Sequence, residues 1–338
     1  MRLRGSDISF SKGQAEITLQ TWEEFPAFVD ENDNLKGYIF RGHSRSSFDL
    51  RPTLIRALDR RHPVAPKDKD IASIISQQLR RFRLAIRGRV ALSDREAASE
   101  SEIWAVGQHH GLATPLLDWT ASPLVAAFFA FSESRSVLLA EGPDRESVRR
   151  QLEVFEKSRE EPRAVFALFA RRINEVFYEW TTKELGSRDS HLPDKLVAME
   201  SFMEGDDHGA GLGIIERIAE RLFPADPDTF CKCKEAVDAA ELVVPRVIAP
   251  LSGENRRLVS QRGLFTKHYG PLEEMLPGLF AEDRKTGKYF GDEAILLKIN
   301  MPNSQRDVAL RWLDAANINS LSLFPDLQGA SLFANTRL

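Results

Sequence analysis

The chain has 338 residues, 42% of them hydrophobic and 28% charged, with a formal net charge of −4. That balance excludes a disordered polypeptide and a nucleic-acid binder held by a global basic field. Cys231 and Cys233 stand one residue apart, which suits neither an easy disulfide nor a zinc site, and no apolar run nears the ~20 residues of a membrane span. The expectation is a soluble, cytoplasmic protein with no membrane partner and no metal.

In chain order, "AEITLQ" (15–20) alternates like a strand, and "TWEEFPAFVDEN" reads as a helix with an early Glu pair. "KGYIFRG" is a second strand, and "RPTLIRALDR" a short helical turn closed by "HPVAP". Ile71, Ile75, Leu79, Phe82, Ile86 and Val90 form one apolar stripe over 68–92, so that segment is a helix. Arg80, Arg83 and Arg87 fall on another face; residues 51–95 hold twelve Arg and Lys against four Asp. Such a face is either a solvated helix side or, over 71–91, a nucleic-acid or phosphate surface.

A helix over 95–110 ends at Gly111, a plausible cap. Ser122 followed by Pro123 signals the start of "PLVAAFFAF", apolar nearly all round and therefore buried. Residues 141–162 are highly charged, "AVFALFA" (164–170) is a buried strand, and the Gly-, Pro- and acid-rich stretch 204–235, around one helix, is the expected elaboration or lid. "ELVVPRVIAP", "GLFTKHY" and "EAILLKINM" read as strands, and 303–316 as the last helix before "INSLSLFPDL". No regular βαβ repeat and no Gly-rich phosphate loop occurs. The expected class is α+β, a mixed or antiparallel central sheet with surrounding helices.

Candidate chemistry gathers at the edges of apolar elements. Arg41 directly follows Tyr38, Ile39 and Phe40, and its guanidinium offers a permanently charged fork of donors for phosphate or carboxylate. Its bland alternative is a buried ion pair. Gly42 is read as keeping the approach to that arginine clear, with His43 beside it. "GQHHGLATPLLDWTASP" (107–123) holds Gln108, His109, His110, Thr114, Asp118, Trp119, Thr120 and Ser122. Adjacent histidines point to different sides of a helix, so the two cannot share one metal. Asp118 stands too early to cap the helix after Ser122 and is free to orient a ligand or to pair with Arg41. "NRRLVSQRGLFTKHYG" (255–270) offers Gln261 as a binding amide or a turn-stabilising one, next to Gly263. "SLFPDL" is assigned packing only.

Taken in order, Phe40-Arg41-Gly42, "QHHGLATPLLDWTASPLVAAFFAF", "QRGLF" and "SLFPDL" resemble the FRG domain over most of residues 20–330. The chain is then one FRG-type domain, 1–338, with helical insertions at 141–160 and 204–235. A more distant similarity is to ADP-ribosyltransferases of the Arg-Ser-Glu type. It implies an ADP-ribosyltransferase-like core, NAD as cofactor, and a transferase that is a toxin or phage-defence effector with a macromolecular acceptor. Arg41 would grip the pyrophosphate, and Thr114 or Ser122 would support the nicotinamide half. Gly42, His43, Trp119 and Gly263 would complete the pocket, with Arg41, His109, Asp118 and Gln261 as the catalytic set. Those enzymes carry a Glu where this chain has Gln261 or Gly263, and a neutral amide supplies neither charge nor base. Asp118 is the acid expected to take over, with His109 as proton carrier. The alternatives are a nucleotide-sensing module that signals to a partner protein, and a metal-independent hydrolase or nuclease using His109 and Asp118.

Overall fold

The computed structural model of the chain describes residues 9–11, 14–32, 35–61, 68–87, 100–133, 160–188, 227–249, 256–280 and 294–335. Eight strands form one mixed sheet: β1 (Ser9–Ser11), β2 (Gln14–Thr18), β3 (Tyr38–His43), β4 (Leu116–Thr120), β5 (Arg163–Phe169), β6 (Arg246–Ile248), β7 (Gly263–Lys267) and β8 (Leu296–Met301), in the order β1-β2-β8-β5-β3-β4-β7-β6. Among the described strands only β2 and β8 run parallel; every other neighbouring pair is antiparallel. This is the expected α+β class.

Period-two alternation sorts the strand residues between cores. Tyr38 and Phe40 of β3 join Val165, Ala167, Leu297 and Ile299 under helix α1 (Glu24–Glu31), where Trp22, Phe25 and Phe28 are also buried. Ile39 joins Ala164, Phe166 and Leu168 in a second core. A third core gathers Leu116 and Phe265 with helices α2 (Thr53–Arg61), α3 (Asp68–Ala85) and α4 (Glu100–His109). There Ile75 and Leu79 of the forecast stripe are buried, while Val90 lies outside the described residues.

The sheet is two ladders hinged at one point. β3 pairs with β5 through six positions, Tyr38 to His43, but with β4 only at Phe40 opposite Thr120. Toward His43 the two strands are no longer paired. A five-strand half and a three-strand half therefore part beside Arg41.

Helix α5 (Pro123–Ser132) covers β3, and the glycine of the Arg-Gly pair explains how closely. A Cβ on Gly42 would lie 1.9 Å from the Ala126 carbonyl oxygen and 2.5 Å from the Ala130 nitrogen. Those are backbone atoms and cannot move aside cheaply. Gly42 thus admits α5, not a ligand, which corrects its sequence-based role. Ala126 and Ala130, four residues apart and fully buried, are the small residues that make the approach possible on the helix side. Ser122 caps this helix as anticipated, its hydroxyl accepting from the Val125 amide at 3.4 Å.

Two readings of segments change. "ELVV" is not strand: helix α6 (Ala170–Arg188) is followed among the described elements by helix α7 (Pro227–Glu241), and only Arg246–Ile248 is extended. Within 204–235, the part from 227 opens α7, whose Cys233 and Ala236 are fully buried, as Ala240 is further along; that part is core, not lid. Residues 204–226 and 141–159 lie outside the described residues. Among the described residues no helix is long and apolar enough to cross a membrane.

Candidate functional site

Where β3 and β4 part, alternation puts Arg41 and His43 on the face shared with Ile39. The Arg41 side chain remains 21% exposed. Its Nε donates to His43 Nε2 at 2.8 Å, and its Nη1 donates to the Asp118 main-chain carbonyl at 2.6 Å. The guanidinium therefore takes up a strand carbonyl beside the place where ladder pairing stops. Asp118 Oδ2 lies 3.7 Å from Nη1 on a side chain that is 64% exposed, a loose and solvated ion pair. No described hydrogen bond involves Nη2.

His43 is the unusual partner. Its ring packs edge-on to Phe166 and Phe48, with Nδ1 3.2 Å from the Phe48 carbonyl. Nε2 accepts from Arg41, so the proton sits on Nδ1 and the ring is neutral. Burial, reinforced by the Arg41 charge, pushes the His43 pKa down to about 3. Burial also lowers the pKa of Arg41, Asp118 opposes that shift, and the charge of Arg56 adds to it. The guanidinium stays charged. It is thus oriented by a neutral acceptor and a carbonyl, with the solvated Asp118 carboxylate as its described counter-charge.

A short relay holds the far wall. Helix α4 ends with Gly111 at φ +84°, Gly111 N–H bonding the Gln108 carbonyl at 3.0 Å and Leu112 N–H the Gly107 carbonyl at 2.8 Å, a Schellman termination. That end presents Gln108, whose Nε2 donates to Asp118 Oδ1 at 2.6 Å and whose Oε1 accepts from Thr114 Oγ1. Thr114, fully buried, receives the hydroxyl of Thr53 on its carbonyl at 3.3 Å, and the same carbonyl accepts the Leu54 amide at 3.0 Å. The start of α2 is in this way tied to Asp118 and so to Arg41.

The remaining candidates fall elsewhere. Trp119 is buried, its Nε1 donating to Thr266 Oγ1 at 2.9 Å. Gln261 does not face the opening: its Nε2 donates to the Leu323 carbonyl at 3.1 Å, and its own carbonyl accepts from Thr120 Oγ1 at 2.6 Å. Gly263 lies against Leu258, 2.5 Å from where its Cβ would be. "QRGLF" and "SLFPDL" are one clasp, completed by Arg257, which bonds Asp326 and stacks over Phe324 at 5.4 Å. His109 and His110 are exposed with ring centroids 5.0 Å apart, and burial, the His110 charge and Arg257 lower the His109 pKa. No described contact joins His109 to Asp118. The opening therefore brings together Arg41, His43 and Asp118, with Gln108 and Thr114 behind them. Gln108 and Arg56 were given no role from the sequence. The only signal for Arg56 was its place four residues before Arg60 on the polar face of a short helix.

Arg80, Arg83 and Arg87 stand exposed on and just after α3. Among the described residues no three of His, Cys, Asp and Glu gather where they could hold a metal ion.

Both edges of the opening lie within one stretch of chain that has a family counterpart. Residues 36–137 match the FRG domain. The matched segment spans β3 to α5 and contains Arg41, His43, Arg56, Gln108 and Asp118, whereas the Gln261–Asp326 clasp lies beyond it. Comparison with curated proteins and with solved structures gave no match.

Proposed function

We propose that the FRG segment binds the phosphates of a nucleotide of the NAD type at the parting of β3 and β4, and that this binding is the function of the site. One observation carries the reading: Arg41 is oriented by a neutral histidine and a carbonyl, and no described hydrogen bond takes its Nη2. The carboxylate described beside it is solvated and stands 3.7 Å away. Donors aligned in advance lose little freedom when a phosphate arrives. NAD is the first ligand to test because of the resemblance to ADP-ribosyltransferases.

Calorimetric titration with NAD tests the reading. The wild type binds, and Arg41→Ala loses at least tenfold in affinity with its fold intact by circular dichroism. Equal affinity in the two proteins overturns it.

Group transfer is the second reading, and the exposed carboxylate of Asp118 favours it. Held beside whatever Arg41 grips, that carboxylate would steady the positive sugar as the bond to nicotinamide breaks and its electron pair leaves with nicotinamide, while a nucleophile of the acceptor bonds to the sugar carbon and gives its proton to solvent. Nicotinamide release by the wild type, lost in Asp118→Asn while NAD binding persists, supports transfer. Binding without release by the wild type, with protein and nucleic-acid acceptors supplied, leaves a nucleotide-sensing module.

A further inference from the structure

An open cleft of about 490 Å³ runs along α2, lined by Arg51, Thr53, Arg56, Asp59 and Arg60. Its charges are not alike. Arg51 is neutralised on both sides, bonding Asp59 at 2.6 Å and Asp49 at 3.1 Å, and forms a fixed wall. Arg56 and Arg60 are exposed, stand four residues apart on one helix face, and make no ion pair among the described residues. Two like charges at that spacing repel, and a helix face normally relieves them with an acid. Here the one acid between them, Asp59, is already committed to Arg51.

The cleft is joined to Arg41 by two features. Thr53, which lines it, bonds Thr114, and Thr114 connects through Gln108 to Asp118 and Arg41. The charge of Arg56 also reaches both Arg41 and His43.

We propose that this cleft is a second anion subsite continuous with Arg41, so that the ligand presents a pyrophosphate or longer phosphate chain and not a single phosphate. The inference rests on the reading of Arg41 as a phosphate holder. Arg41 takes one phosphoryl group through its guanidinium, and Arg56 with Arg60 takes the next. The ligand class narrows to nucleoside diphosphates and dinucleotides.

The test uses the full chain, with inorganic phosphate and inorganic pyrophosphate as probes, titrated against wild type, Arg41→Ala and the double variant Arg56→Gln/Arg60→Gln. Both glutamines sit on an exposed helix face, and unchanged thermal unfolding confirms that α2 is intact. The expected result is pyrophosphate bound at least tenfold more tightly than phosphate by the wild type. The double variant should lower pyrophosphate to the affinity of phosphate and leave phosphate itself unchanged. Pyrophosphate binding that survives the double variant but is lost in Arg41→Ala overturns the second subsite and spares the first. Loss in the double variant with none in Arg41→Ala overturns the reading of Arg41 instead. Absence of binding to the wild type overturns both.

Discussion

Two cationic side chains of this sheet meet opposite fates. Lys267, at the end of β7, is buried and held by Glu241 at 2.5 Å and Glu100 at 3.1 Å, while Arg246 bonds the same Glu241 at 3.2 Å. Burial works against the Lys267 charge, but the acids, led by Glu241, outweigh it and hold its proton well above the usual lysine range. Every strong charge there has a strong partner, which is the signature of a structural network. Arg41 has a neutral imidazole, a carbonyl and one loosely placed carboxylate. The lesson is that two charges of one sheet can differ in the quality of their partners more than in burial.

The largest test of that contrast strikes the closed network. Glu241→Ala leaves Lys267 and Arg246 short of an acid in the interior and should cost about 3–5 kcal/mol of stability, read from urea unfolding. A loss below about 1 kcal/mol would mean that the network is not structural. Gly42→Ala comes next. Its new methyl meets the backbone of α5, so about 2–3 kcal/mol should be lost, and Gly42→Ala should unfold at a lower temperature even with ligand present. If Gly42 instead cleared a path for ligand, affinity would fall and stability would not.

Acid probes the open site. Below pH 6.5 the unfolded chain takes up a proton at His43 that the folded chain refuses until about pH 3. Stability contributed by neutral His43 is therefore complete above pH 6.5 and falls as pH drops, by about 1.4 kcal/mol per pH unit within the window. His268, fully buried with its pKa pushed to about 4 by burial, adds to the same trend. His43→Gln can accept from Arg41 and donate to Phe48, and it should shed one proton from the acid slope between pH 6 and 4. An unchanged slope would show that His43 does not remain neutral in the fold. The smallest effect is that of Asp118→Asn. It keeps an acceptor for Gln108 but removes the charge near Arg41, so stability should shift by less than about 1 kcal/mol. Anion affinity should rise a few-fold, and a fall would assign Asp118 to the ligand itself.

Much of the opening was legible in advance. Asp118 was free for Arg41 because it stands too early to cap α5, but β3 does not end at Arg41: it runs on to His43, paired with β5 throughout. Ser122-Pro123 announced that helix correctly. Gln261 misled because a glutamine beside a glycine looks the same whether its amide meets a ligand or, as here, the Leu323 carbonyl from 62 residues away. Arg163 was passed over because nothing local signals that an arginine at a strand start, next to "AVFALFA", will be 1% exposed and bonded to Asn303 and Ala130.

By itself the sequence determined the alternation of β3, with Phe40 and Gly42 on one face and Arg41 and His43 on the other, because successive side chains of a strand must point apart. It determined the apolar α5, its cap, and the α+β class. Tertiary structure alone decided what each face meets: α5 pressed on Gly42, β4 parting from β3 after a single pairing, and a carboxylate closed tightly on Lys267 but set loosely beside Arg41. The physical reason is range. Propensity and periodicity act over a few residues, whereas the field around a buried charge is set by groups that only the folded chain brings near.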